Sequence, residues 1–142
     1  MRLSLNDIEA AARRAAESLH KRSGSAATFT EADLHAIDAA LTEASRYKDA
    51  LPDDVQDDLV RDFGCLTLEI GRRAHGGRYA WLDESAEPVL IIGEPTRHIA
   101  IAAWGTVRGR LDGDAANSVT FLYRGFADQV RSAPAGTQKL FI

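Results

Sequence analysis

Cysteine is almost absent from this sequence: Cys65 stands alone in 142 residues. It permits no internal disulfide and suits a reducing compartment. Long apolar runs are missing too. Stretches such as Val89 to Ile92 are short, far below the ~20 residues that a spanning helix needs. The first nine residues already carry Arg2, Asp7 and Glu9 and hold no apolar stretch of the signal-peptide kind. A cytoplasmic protein with no membrane association is therefore expected. No HExxH, GxSxG or Walker sequence occurs, and no Cys–His pairing. The four histidines, His20, His35, His75 and His98, are scattered, with no two at helical i, i+4 spacing. Internal repeats, low-complexity tracts and linkers are also lacking. No cofactor or metal and no catalytic residue is expected from motifs, and an enzyme is the less favoured class.

What is present fits one ordinary domain. The chain is 45% hydrophobic and 27% charged, close to the globular average, and long enough to need no disulfide or metal for stability. The net charge is −4 and the pI near 5.5, which argues against a general nucleic-acid binder. The charge is unevenly spread. Residues 28–62 hold ten acids and three bases, a net of −7, while the remainder is +3. That asymmetry points to an acidic face able to meet a basic partner.

Periodicity divides the chain into a helical N-terminal half and a mixed C-terminal half. Asn6 with Glu9 resembles a capping box that opens a first helix with Ile8, Ala12, Ala15 and Leu19 inward. Gly24 can close it. Thr30 caps a second helix with the stripe Leu34, Ile37, Leu41 and Ala44. Pro52 suits the first position of a third, apolar helix that runs to about Ala74 and stops at His75-Gly76-Gly77. Three short strands follow, over 78–82, 88–92 and 96–101, as an antiparallel meander. A helix from Ala102 to Leu111 comes next, in which Gly105 and Gly109 suggest close approach of another backbone. The last helix carries Val119, Leu122, Tyr123, Phe126 and Val130 and is capped by Asp114 or Asn117. Residues 133–142 read as a tail with an apolar end that docks somewhere.

The fold class expected is α+β: N-terminal helices, a three-stranded antiparallel sheet and C-terminal helices in a single domain. It divides into a helical hairpin (1–50), a helix–meander–helix core (51–132) and the tail (133–142). The expected core comprises Leu34, Ile37, Leu41, Val55, Leu59, Phe63, Leu66, Ile70, Trp81, Leu90, Ile99, Val107, Leu111, Leu122, Phe126 and Val130. Phe63 is expected between the third helix and the sheet.

Two sets of residues are candidates for function. Asp53, Asp54, Asp57, Asp58 and Asp62 crowd the first turns of the third helix. Asp53 and Asp54 suit the positive helix start, but Asp54, Asp58 and Asp62 repel at i, i+4 spacing. They read either as a solvated face or as a contact for a basic protein. Arg78, Arg97, Arg108 and Arg110 lie in the strand-bearing half, either as solvated charges or as a grip for an anion or small molecule. Tyr79 and Trp81 share a strand face expected to cover the helices. Cys65, beside Phe63 and Leu66, reads as a buried structural thiol. A third possibility is an enzyme whose dispersed site no motif reveals.

The layout Phe63-Gly64, Glu69, Gly76-Gly77-Arg78-Tyr79-Ala80-Trp81, Pro88-Val89-Leu90, Val107, Arg110-Leu111-Asp112-Gly113 and Phe121-Leu122-Tyr123 resembles uncharacterised small bacterial α+β domains with a Gly-Gly-x-x-x-Trp lead into a strand. The resemblance covers about residues 55–131. Those domains carry proline before the short helix, where this chain has Ala102-Ala103. Some related proteins act as immunity proteins beside secreted toxins. The resemblance implies an immunity-type, protein-binding role and transfers no catalytic residue; the charge asymmetry makes the expected partner a basic protein, a toxin among the candidates.

Overall fold

Several helices begin where a side chain can take up free N–H groups, because the first four donors have no partner within the helix. In the computed structural model, which describes residues 2–142, helix α1 (Leu5–Ser23) opens on a capping box of Ser4 and Asp7. The expected Asn6/Glu9 pair is thus displaced by two residues. Gly24 closes the helix in the left-handed conformation. Thr30 caps a 3-10 turn, Glu31–Asp33, that leads into α2 (Leu34–Ser45). A second turn, Lys48–Ala50, precedes α3 (Asp53–His75), for which Pro52 is the cap residue.

The α+β class is as expected, in one domain, but the sheet is larger than the sequence suggested. Strands β1 (Arg78–Leu82), β2 (Glu87–Ile92) and β3 (His98–Ile101) form the antiparallel meander. After α4 (Trp104–Leu111) and α5 (Val119–Ser132) comes a fourth strand, β4 (Gln138–Phe141), parallel to β3. The sheet is therefore four-stranded and mixed, in the order β1-β2-β3-β4. This corrects both the three-stranded antiparallel sheet and the loose tail. The physical reason is packing. Phe141 meets Phe126 edge to face, with 6.3 Å between ring centroids, and a Cβ on Gly125 would stand 3.2 Å from its ring. A parallel partner needs a long crossover, and α4 and α5 supply it.

Helices α3 and α5 pack on the sheet face of Leu90, Ile92, Ile99 and Ile101. On the other face Val89, Ile91, Ala100 and Ala102 form a separate small cluster. Of the expected core, Val55 is exposed, and Leu59, Trp81 and Leu122 are only partly buried. Phe63 is buried, and it lines a groove together with Leu41 of α2 and Ser18 and Arg22 of α1. Gly109 does permit a close approach, though of the Asn117 side chain rather than a backbone. The tightest glycine is Gly64, where an added Cβ would lie 2.2 Å from Trp104 Cδ1.

Two buried carboxylates organise the C-terminal helices. Asp38, in α2, accepts the backbone N–H groups of Val119 at 2.9 Å and Thr120 at 3.1 Å, together with the Thr120 hydroxyl at 2.8 Å. It adds to Ser118, whose hydroxyl accepts from Phe121 N–H; Asp114 and Asn117 stand outside this cap. Glu87, at the start of β2, accepts the Trp104 N–H at 3.0 Å. It thereby caps α4, whose own cap residue Ala103 offers no side chain for the purpose.

Candidate functional site

The turn between α2 and α3 carries the most exposed large apolar side chains of the acidic segment. Tyr47 is 63% exposed and Val55 37%. They sit on a groove of about 370 Å³ floored by Leu41, Ala44, Leu59 and Phe63 and walled by α1. Gln56 fixes this corner. It is buried, and its amide donates to the carbonyls of Lys48 at 3.1 Å and Leu51 at 2.9 Å. Lys48 in turn bridges to Asp112 at 2.9 Å, tying the turn to the end of α4.

The acidic run lies along the same stretch of α3, and the structure divides it. Asp53 and Asp54 are exposed at the helix start and, among the described residues, make no ion pair. Asp54 accepts only the neighbouring Val55 N–H, at 3.0 Å. Asp57 pairs with Arg108 of α4 and Asp58 with Arg61 at 3.3 Å, yet both stay more than half exposed. Asp62 differs from the rest. It is 15% exposed and holds Arg14 of α1 at 3.2 Å and Arg61 at 3.0 Å. Exposed pairs of the first kind contribute about 0–1 kcal/mol. Asp53, Asp54, Asp57 and Asp58 thus keep their charge turned to solvent, while Asp62 joins α1 to α3.

The four expected anion-binding arginines are not brought together. Arg78 grips Glu94 through two nitrogens, at 2.6 and 3.1 Å, and lines a cleft with Tyr79 and Trp81. Arg97 lines a different cleft and donates to the Ala133 carbonyl at 2.9 Å. Arg108 is held by Asp57. Arg110 lines a third cleft and donates to the carbonyls of Asp38, Ala115 and Asn117.

Tyr79 leads instead to a buried network that sequence patterns did not reveal. Its hydroxyl donates to Glu69 at 2.7 Å, and Arg72 donates to the same carboxylate at 2.6 and 3.0 Å. Arg72 reaches on to Glu9 of α1 at 3.3 Å. Burial pushes the Glu69 pKa up, but the hydrogen bonds from Arg72 and Tyr79 outweigh it and hold the carboxyl below the ordinary 4.5. The Tyr79 phenol is driven upward by its burial and by Glu69. Glu69 is fully buried, so this cluster fastens α3 to β1 and α1 rather than presenting a reactive group.

Trp81 meets Trp104 edge to face at 6.4 Å and covers α4 from the sheet. Cys65 is fully buried, and burial pushes its thiol up to about 12. A thiol so protonated is a poor nucleophile at neutral pH. Among the described residues, no three His, Cys, Asp or Glu side chains converge as metal ligands would, and no helix is long and apolar enough to cross a membrane. No family model, curated protein or solved structure matches this chain.

Sequence reading found the acids but not the groove. Tyr47 falls between two helical stripes, where no periodicity marks it. Gln56 is a polar residue whose burial follows from carbonyls that only the folded turn presents.

Proposed function

We propose that this chain is a protein-binding domain whose groove at Tyr47 and Val55 takes a basic, amphipathic segment of a partner protein. The observation that carries the reading is the continuity of two features: exposed apolar side chains over Leu41, Leu59 and Phe63, and the solvent-facing acids Asp53, Asp54, Asp57 and Asp58 in the same turns of α3. An apolar segment would fill the groove, and lysines or arginines on its flank would meet the acids. Charge of this kind acts mainly on the rate of association, and a buried tyrosine supplies much of the contact energy in many interfaces. An immunity-type inhibitor that occupies a basic toxin is one form such a domain takes, in keeping with the resemblance noted above.

The test uses a synthetic lysine/leucine amphipathic helix as probe and a glutamate/leucine peptide of the same pattern as control. Fluorescence anisotropy should show saturable binding of the first and none of the second. Tyr47→Ala should speed dissociation. Asp54→Asn with Asp58→Asn should slow association and flatten its salt dependence. Equal binding of both peptides, or variants that bind as the parent does, would overturn the reading.

A further inference from the structure

A larger cleft than the docking groove lies between α2 and the start of α5, with a volume of about 690 Å³. Its charges are unusual for this chain. Ten of the fourteen arginines pair with a carboxylate. Arg13, Arg46, Arg97 and Arg124 do not, among the described residues. Arg97 is spent on backbone carbonyls. Arg46 and Arg124, both exposed, line this one cleft. The contact Arg124 does make is with another basic side chain: its Nη2 stands 3.3 Å from His35 Nε2, also on the cleft.

The carboxylates present do not cancel this charge. Asp38, at the floor, is taken up by the N–H groups of α5 and by Arg110 at 3.4 Å. Glu43, at one side, is paired with Arg22. The rim of Arg46, Arg124 and His35 therefore remains without a counter-charge. Phe121 stands on the same cleft, 81% exposed, the most exposed large apolar side chain described. A bare phenyl ring beside uncompensated guanidinium groups offers a flat surface and a fork of donors at once.

We propose that this cleft binds a small organic anion with a flat ring, of the aryl phosphate or aryl carboxylate class. Arg124, with His35 beside it, grips the anionic group, Phe121 one turn earlier in α5 receives the ring, and Arg46 at the far end of the cleft adds to its positive field. The cleft volume is in the ordinary range for such ligands, roughly 300–1,000 Å³. The lining of this cleft shares Glu43 with the protein-docking groove, but His35, Phe121 and Arg124 line only the cleft and Tyr47 and Val55 only the groove, so either can fail without the other.

The experiment is a titration of the full chain with phenyl phosphate and with inorganic phosphate, followed by calorimetry or by amide chemical shifts. Phenyl phosphate should saturate the cleft in the millimolar range or below and bind more tightly than phosphate. Arg124→Gln should weaken both ligands by about tenfold, the scale of one charged hydrogen bond, and Arg46→Gln, at the far end of the cleft, by less. Phe121→Ala should remove the advantage of phenyl phosphate and leave phosphate as it was. All three side chains are exposed, so melting curves of the variants should overlay the parent. Tyr47→Ala should leave the titration unchanged. Absence of saturation, or a double arginine variant that binds as well as the parent, would overturn the proposal. So would a phosphotyrosine peptide that binds far more tightly than phenyl phosphate, because the occupant would then be a protein segment.

Discussion

Asp38 and Thr120 are joined twice: the carboxylate accepts both the backbone N–H of Thr120, at 3.1 Å, and its hydroxyl, at 2.8 Å. The two residues are 82 positions apart, so a side chain of α2 does for α5 what a local cap does elsewhere. Removing it strands the buried N–H groups at the start of α5 and takes its counter-charge from Arg110. Asp38→Ala should therefore cost about 3–5 kcal/mol, as expected when one partner of a buried charged cluster is lost. Chemical denaturation checks this, and a loss below that of an ordinary surface cap, about 1 kcal/mol, would show that α5 does not depend on Asp38.

Phe63 is 3% exposed and forms the floor of the docking groove. Phe63→Ala should cost about 3–5 kcal/mol, a large share of the roughly 5–15 kcal/mol that holds a domain together. A melting temperature close to that of the parent would show that the contact of α1, α2 and α3 is looser than described.

Gly64 leaves no room for a side chain, since its Cβ would stand 2.2 Å from Trp104 Cδ1. Gly64→Ala should push α4 from α3 and cost about 1–3 kcal/mol, the usual range for overpacking. Intrinsic tryptophan fluorescence should shift at the same time, because Trp104 must move against Trp81. An unaltered emission spectrum with unaltered stability would contradict this packing.

Acid should unfold the chain in two stages. Burial lowers the His75 pKa from the ordinary 6.5, helped by nearby Arg131 and opposed by Glu31. The unfolded chain then takes up this proton first, so stability begins to fall as pH drops below 6.5 and the loss ends below the folded value. Glu69 is also lowered, from 4.5, but as an acid it gives stability that is present above 4.5 and lost as pH falls through its folded value. Melting temperatures measured across this range should show both steps. His75→Phe, which keeps an aromatic ring against Phe126 and removes the unpartnered buried Nε2, should abolish the first step alone. A parent protein with flat stability between pH 6.5 and 4.5 would contradict the burial of His75.

The helices and the meander were legible because they rest on local signals. Ile8, Ala12, Ala15 and Leu19 keep the 3.6-residue period, and Gly76-Gly77 ends α3 where it should. What escaped the sequence depends on distant partners. Residues 138–141 carry little sign of a strand, and they become one because Phe141 finds Phe126 and Gly125 across the crossover. Asp38 looked like one more member of the acidic segment, although it is buried. Among the site residues, the run from Asp53 to Asp62 was plain, but its division was not: Asp62 meets Arg14 and Asp57 meets Arg108 only once α1, α3 and α4 are packed. The four arginines were grouped by sequence proximity, which β-turns and helix faces then dispersed into separate clefts.

Neutralising the acids should accordingly have unequal effects on the fold. Asp54→Asn and Asp58→Asn relieve an i, i+4 repulsion and should leave stability unchanged or slightly raised, by a few tenths of a kcal/mol. Asp62→Asn removes the tie between α1 and α3 and should lower it. A melting curve for each single variant separates the two cases, and a stabilising Asp62→Asn would contradict the division of the run.

The central claim, that the groove at Tyr47 and Val55 is where a basic partner docks, is tested most directly by mapping. Amide chemical shifts of the labelled chain are followed while the lysine/leucine helix is added at low salt. The account predicts saturable changes confined to the residues around Leu41, Ala44, Tyr47, Val55 and Leu59, with smaller ones at Asp53 and Asp54, and their disappearance in Tyr47→Ala. Changes centred on another surface, or small changes spread over every acidic side chain without saturation, would contradict it.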